Sequence, residues 1–303
     1  MSEISVLGIF VADISFSGNK IPSVGETILG SNFNIGPGGK GCNQAIAISR
    51  LGLNVNFISK IGKDEYGDLA IKNLENNNID TSSIIRTNKH QTGVAGIMID
   101  EKTGKNAINV IVGAPSTLTI DEINKNIDKI KNSKIFLTQL EVPLEVTSHC
   151  LKIAKENGCV TILNPAPASK IPSNLFKYID FFTPNETEAE FYSGIKINSK
   201  TEAQKASTKL LNLGLNKVVI TLGEKGLFYK DSNQEIYIEA LSLNKVLDTT
   251  GAGDAFNGGF AYALSQKKPI KEALNIANQV AGLSTLRYGA GNAMPFYNDL
   301  KNI

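Results

Sequence analysis

Short apolar, β-branched runs alternate with amphipathic helical segments along most of this chain, and that alternation leaves few folds open. Residues 4–10, 55–61, 135–140, 160–163 and 218–222 are near-continuous apolar runs rather than in/out alternations. Such runs read as strands buried on both faces. Between them, Ala203, Ala206, Leu210 and Leu213 recur at helical spacing, as do Leu144, Thr147, Leu151 and Ala154. The second of these helices meets a stop signal at Asn157-Gly158. The expectation is an α/β fold, a three-layer sandwich with a mostly parallel central sheet. At 303 residues, 42% of them hydrophobic, the chain is long enough to bury one substantial core.

Two stretches break the rhythm. Residues 15–35 hold Gly18-Asn19, Pro22, Gly25 and Gly30 among scattered β-formers, and 93–112 reads as two strands around Asp100-Glu101-Lys102-Thr103-Gly104. Both fit a small antiparallel sheet inserted into the body; long surface loops are the plainer alternative. The chain is expected to be a single α/β domain over 1–303, with a β lid formed by about 14–36 and 92–112. The formal charge of +2, from 31 basic and 29 acidic side chains, offers no reason to expect nucleic acid or an acidic membrane as partner. Cys42, Cys150 and Cys159 lack zinc-site spacing and are odd in number, which suits reduced thiols. No signal-peptide pattern and no run of 18 apolar residues is present, so a cytoplasmic location and no membrane contact are expected.

The most informative stretch runs from Asp248 through Thr249, Thr250, Gly251, Ala252, Gly253 and Asp254 to Gly259. Small residues 251–253 precede a helical segment over 255–264, so their amides are expected to stand free at a helix N-terminus, where an anion is favoured. Asp254 in that first turn would take a proton from an attacking hydroxyl while the amides stabilise a transferring phosphoryl group. A glycine string alone is weak, since it often serves only a turn, and an aspartate there is often just a cap. The Walker A, G-x-S-x-G and H-E-x-x-H patterns are absent, and only His90 and His149 are available for a triad or a histidine-based metal site.

A second glycine cluster, Gly36-Pro37-Gly38-Gly39-Lys40-Gly41-Cys42-Asn43-Gln44-Ala45, leads into a helix ending near Leu51. This cluster and 248–256 resemble the two signature motifs of the ribokinase (PfkB) carbohydrate kinase family. The resemblance spans the whole chain, through Gln139-Leu140-Glu141-Val142-Pro143, Asn164 to Ala168, Thr183-Pro184-Asn185 with Glu188, and Thr221 to Gly226, in that order.

The resemblance implies an ATP-dependent kinase acting on the primary hydroxyl of a small sugar, ribose first. Asp13, Gly39, Lys40, Gly41, Asn43 and Glu141 would line the sugar pocket, and Asp254 would be the base beside Gly251, Ala252 and Gly253. Asn185, Thr221, Gly223, Gly226, Gly253 and Asn278 would bind ATP, and Glu188 would hold Mg2+ through water. Asn185 and Glu188 also form a capping-box pattern, and both roles are compatible. Asp248, Thr250, Ser284, Arg287 and Gly289 would surround K+, and the lids of two copies would pair into a homodimer.

One departure bears on substrate. Family members usually carry asparagine where Val11 stands, two residues before Asp13. An apolar group leaves a buried hydroxyl unpaired at about 1–3 kcal/mol. That keeps 2-deoxyribose, another sugar or a nucleoside open beside ribose. A non-catalytic sugar- or nucleotide-binding regulator should have lost the base or the glycines, and both are intact. A nicotinamide dehydrogenase needs its glycine fingerprint after the first strand, where Val11-Ala12-Asp13 stands instead.

Overall fold

The computed structural model describes residues 3–301. Its strands, in chain order, are β1 (Ile4–Leu7), β2 (Val11–Gly18), β3 (Asn32–Gly38), β4 (Val55–Gly62), β5 (Ile84–Thr87), β6 (Gly93–Asp100), β7 (Asn106–Ile111), β8 (Ile135–Thr138), β9 (Val160–Leu163), β10 (Phe181–Phe182), β11 (Val218–Thr221), β12 (Leu227–Lys230) and β13 (Glu235–Ile238). The helices are α1 (Lys40–Arg50), α2 (Glu65–Asn76), α3 (Ile120–Asn124), α4 (Ile127–Lys131), α5 (Leu144–Glu156), α6 (Glu186–Ser193), α7 (Lys200–Asn212), α8 (Ala252–Ser265), α9 (Ile270–Ser284) and α10 (Tyr297–Leu300).

Nine strands form the body sheet in the order β13-β12-β11-β10-β9-β8-β1-β4-β5. It is parallel from β5 to β11, and β12 and β13 add an antiparallel edge. The continuous apolar runs are explained by two cores, one on each face. Along β8, Ile135 and Leu137 join one core while Phe136 joins the other, and along β11 Val219 parts from Val218 and Ile220 in the same way. The first core takes α1, α2, α8 and α9; the second takes α5, α6 and α7. Helix α5 ends where its sequence signal stood, with Gly158 at φ 83 just past Asn157.

Two expected strands stop early. The run 4–10 is strand only to Leu7, and 135–140 only to Thr138, so Glu141 lies beyond the end of β8 rather than at it. At Gly8 the chain passes too close to α1 for any side chain, since a Cβ there would lie 2.7 Å from Gly41 Cα. The second sheet has the order β3-β2-β6-β7. Its outer pairs are antiparallel and its central β2–β6 pair is parallel. β2 begins at Val11, so Asp13 sits on this small sheet and not in a loop of the body. Among the described residues no helix is long and apolar enough to cross a membrane.

Candidate active site

The two glycine clusters meet at the C-terminal ends of the central strands, where open α/β sheets place ligands. Gly251, at φ 76, turns the chain into α8 in a left-handed conformation. The helix starts at Ala252, three residues before the expected position, and Ala252 N–H donates to Thr249 O at 3.2 Å. That corrects the expectation that all three amides stand free: those of Gly251 and Gly253 have no acceptor among the described residues, and that of Ala252 does.

Asp254, 7% exposed, points from the first turn of α8 toward α1. Asn43 Nδ2 donates to its Oδ2 at 2.9 Å, and Gln44 Nε2 donates to its Oδ1 at 3.2 Å. Burial pushes its carboxyl above the usual range, while the Lys40 ammonium and the two amide donors oppose the shift. Lys40 is itself held protonated, first by the charge of Asp254 and further by Glu141 and Glu188, against its own burial.

The first cluster supplies the other side. Lys40 N–H donates to Glu141 Oε2 at 3.1 Å, which brings Glu141 to the N-terminus of α1. Burial raises the Glu141 carboxyl to about 7, with Lys40 opposing. Asp13 is raised to about 6, by burial and then by the charge of Asp254. Its carboxylate lies over Gly38, where a Cβ would sit 2.1 Å from Oδ1. Asn43 Oδ1 is buried without a donor among the described residues.

A cleft of about 180 Å³ runs on from Asp254, lined by Lys40, Asn185, Glu188, Thr221 and residues 251–253. Asn185 and Glu188 form a reciprocal capping box at the start of α6, with Glu188 N–H on Asn185 Oδ1 at 2.8 Å and Asn185 N–H on Glu188 Oε2 at 2.9 Å. The carboxyl of Glu188, raised by burial, nevertheless faces the cleft. Gly223 and Gly226 make the turn after Thr221, and Gly226, at φ 92, admits no side chain because Ile238 O would lie 2.0 Å from its Cβ.

Asn278 does not line the cleft; its amide donates to Glu239 O at 2.8 Å, in the segment packed against Gly226. Asp248 knits two loops, accepting from Thr250 N and Gly289 N at 2.9 Å each. Ser284 Oγ donates within its own helix, and Arg287 pairs with Asp299 at 2.9 Å, so neither side chain joins them.

Sequence reasoning left Gln44, Gln139, Asn164, Thr183, Thr249 and Asn257 without roles. Asn164, Thr183, Thr249 and Asn257 line the cleft, and Gln44 touches Asp254. A usable signal existed: amides directly following the apolar runs of β8 and β9 are out of place in a core unless something pairs with them.

Known proteins share this fold. The sequence pattern of the pfkB family carbohydrate kinase matches residues 1–296. Ribokinase of Haemophilus influenzae is 38% identical over 96% of this chain and 95% of its own, and deoxyribokinase of Salmonella typhi is 35% identical over 97% and 95%. The structure of Arabidopsis thaliana ribokinase complexed with ribose and ATP superimposes with a TM-score of 0.91 at 29% identity, covering 99% of this chain and 98% of that one. With a family match over nearly its whole length, this chain belongs to the pfkB family of carbohydrate kinases.

Proposed function

We propose that the protein transfers the γ-phosphoryl group of ATP to the primary hydroxyl of ribose. The observation that carries this reading is the juxtaposition at α8: a buried carboxylate, Asp254, within a turn of two amides without acceptors, and bonded to Asn43 Nδ2, whose Oδ1 is a buried acceptor without a donor. An orphaned buried acceptor costs about 1–3 kcal/mol, and a sugar hydroxyl supplies its donor. Asp13, Asn43 and Glu141 hold the sugar, and Asp254 takes the proton of the attacking hydroxyl. Gly251 and Gly253 N–H, with Lys40, face the charge that develops on the transferring group. Asn185, Thr221, Gly223 and Gly226 flank the nucleotide, with Asn278 supporting that side through Glu239.

Mg2+ supplies charge neutralisation for the phosphates. Glu188 suits it through water, because both of its oxygens already accept from Asn185. A K+ site formed by carbonyls around Asp248, Thr250, Ser284, Arg287 and Gly289 accords with the pairing of those loops through Asp248. The residues on the face of the small sheet opposite Asp13, namely Phe16, Phe33, Ile35, Met98 and Ile111, are exposed, and they would pair two copies across their lids. Sedimentation at micromolar concentration should read a dimer; a monomer rejects that pairing. Three buried free cysteines suit a cytoplasmic protein.

Val11 favours a second reading. It is buried, two residues from Asp13, and therefore on the same face of β2. A sugar lacking one hydroxyl, 2-deoxyribose, leaves nothing unpaired against it, and the likeness to a deoxyribokinase supports that substrate. ADP release with Mg-ATP and potassium, offering ribose, 2-deoxyribose, fructose and ribonucleosides in parallel, decides. Dominant turnover of ribose upholds the first reading, and of 2-deoxyribose the second. Asp254→Asn keeps shape and removes the base, so turnover should fall about 10²-fold or more. Wild-type turnover in that variant would falsify the assignment of the base.

A further inference from the structure

A closed circuit of buried amides lies behind Asp254. Gln44 Nε2 donates both to Asp254 Oδ1 and to Asn164 Oδ1, each at 3.2 Å, and Gln44 Oε1 accepts from Gln139 Nε2. From Asn164 the path continues through Nδ2 to Thr183 O at 3.1 Å, then from Thr183 Oγ1 to Asn257 Oδ1 at 2.6 Å. Asn257 Nδ2 closes it on Gly253 O at 2.8 Å, the residue before Asp254. Gln44 is 0%, Gln139 1%, Thr183 1% and Asn257 2% exposed, so water competes little for their bonds, while Asn164, 7% exposed, borders the cleft.

The orientation of Gln44 is forced. Turned over, its carbonyl oxygen would face two acceptors, Asp254 Oδ1 and Asn164 Oδ1, whichever way Gln139, whose Oε1 has no donor, is turned. In the observed orientation all three polar positions of the amide are used. A fixed, fully paired amide behind one carboxylate oxygen, with Asn43 on the other, leaves Asp254 one rotamer and two fixed donors.

We propose that Gln44 is a positioning residue for phosphoryl transfer, orienting the Asp254 carboxylate toward the attacking hydroxyl, while Thr183 and Asn257 hold the turn at Gly253 to the same frame. This rests on Asp254 being the base. Gln44 acts from the donor side only, and the charged or titratable groups that face Asp254 are Lys40 and the Cys42 thiol on α1, Asp13 on β2, Glu141 beyond β8 and Glu188 on α6. Losing a donor favours the protonated carboxyl and moves the acid limb of the rate profile upward. Thr183→Val breaks the Gly253 arm and a long bond to Leu163 O at 3.4 Å, and leaves the Asn164 arm, which binds the backbone carbonyl of residue 183.

The test is the pH profile of kcat/KM of the full chain for wild type, Gln44→Met, Gln44→Glu and Thr183→Val, with Asp254→Asn alongside. Gln44→Met should lower kcat about tenfold or more, as small misplacements of reacting groups do, and leave KM for ATP within about twofold. Its acid limb should rise by on the order of one pH unit. Gln44→Glu sets a second carboxyl against Asp254, the pair shares a proton, and the limb rises at least as far. This near-isosteric variant decides if Gln44→Met does not fold. Thr183→Val should lower kcat by a smaller factor with the limb in place. An unmoved limb in folded Gln44 variants, or an equal shift in Thr183→Val, overturns the proposal. If Asp254→Asn is dead while the limbs stay put, only the role of Gln44 falls; if Asp254→Asn is active, the base falls with it.

Discussion

Two glycine-rich turns, at 38–41 and 251–253, each lead into a helix, and those helices pack on one another so closely that a Cβ on Gly258 of α8 would meet Ala47 Cβ of α1 at 2.5 Å. The turns differ in what the glycines are for. In the first, every position is crowded by the protein itself: a Cβ at Gly39 would lie 2.4 Å from Ile9 O, and one at Gly41 2.7 Å from Gly8 Cα. Of its amides, that of Lys40 is taken by Glu141, while those of Gly39 and Gly41 find no acceptor among the described residues, so crowding and not amide pairing sets this turn apart. In the second, a Cβ on Gly253 would meet nothing within 4 Å, and the amides of Gly251 and Gly253 find no acceptor among the described residues. A glycine the fold does not need, beside an N–H the fold does not use, marks space kept for a ligand. Glycine identity alone does not separate the two cases.

Substitution separates them, and the largest effect belongs to the first turn. Gly41→Ala should cost about 3 kcal/mol of stability, as overpacking against immovable backbone does, and a denaturant melt reads it. A melt within error of wild type would mean that the helix shifts to make room and that the crowding is not obligatory. Gly253→Ala should leave Tm unchanged or slightly raised, since alanine suits a helical position better. KM for ATP should instead rise about tenfold, because a methyl group enters the ligand's space. A stability loss there without a kinetic effect would erase the distinction between the turns.

Glu141→Gln sharpens the picture of the first turn most gently. The Glu141 carboxyl is raised from 4.5 to about 7 in the folded protein. Below pH 4.5 it is protonated whether folded or unfolded, and it costs nothing. Between pH 4.5 and about 7 the unfolded chain ionises this group while the folded state still holds its proton, so stability falls across that window and the loss is complete above it. The variant should therefore melt higher than wild type at pH 8 and alongside it at pH 4.5, with glutamine still accepting from Lys40 N–H. No difference at pH 8 would mean that Lys40 alone neutralises the site.

The body of the fold was legible because runs such as 135–140 and 218–222 carry local information: continuous apolar residues require cover on two faces, and the two cores supply it. The parallel β2–β6 pairing was not legible, because it joins segments about eighty residues apart whose composition reads as loop and hairpin. The placement of Asp13 on the small sheet followed from that pairing and was missed with it. Within the site, Asp254 and the glycines announced themselves as motifs at short spacing. Gln44, Asn164 and Asn257 stood in the same motifs, yet a hydrogen bond between residues 120 positions apart has no signature until both are placed. Asn278, expected beside the adenine, lies outside the cleft and donates to Glu239 O.

The contact between α1 and α8 also sets a schedule. Asn43 and Asp254 bond across a separation of 211 positions, and the core shared by α1 and α8 draws on both ends of the chain. On the ribosome, the N-terminal helix is therefore made long before its cover exists, and it must wait with apolar side chains exposed to whatever holds nascent chains apart. A fragment ending ahead of residue 252 lacks α8 and with it Asp254 and one wall of the first core. Premature termination ahead of α8 thus leaves the first core without one of its helices, and half-made chains of this enzyme carry an uncovered apolar face.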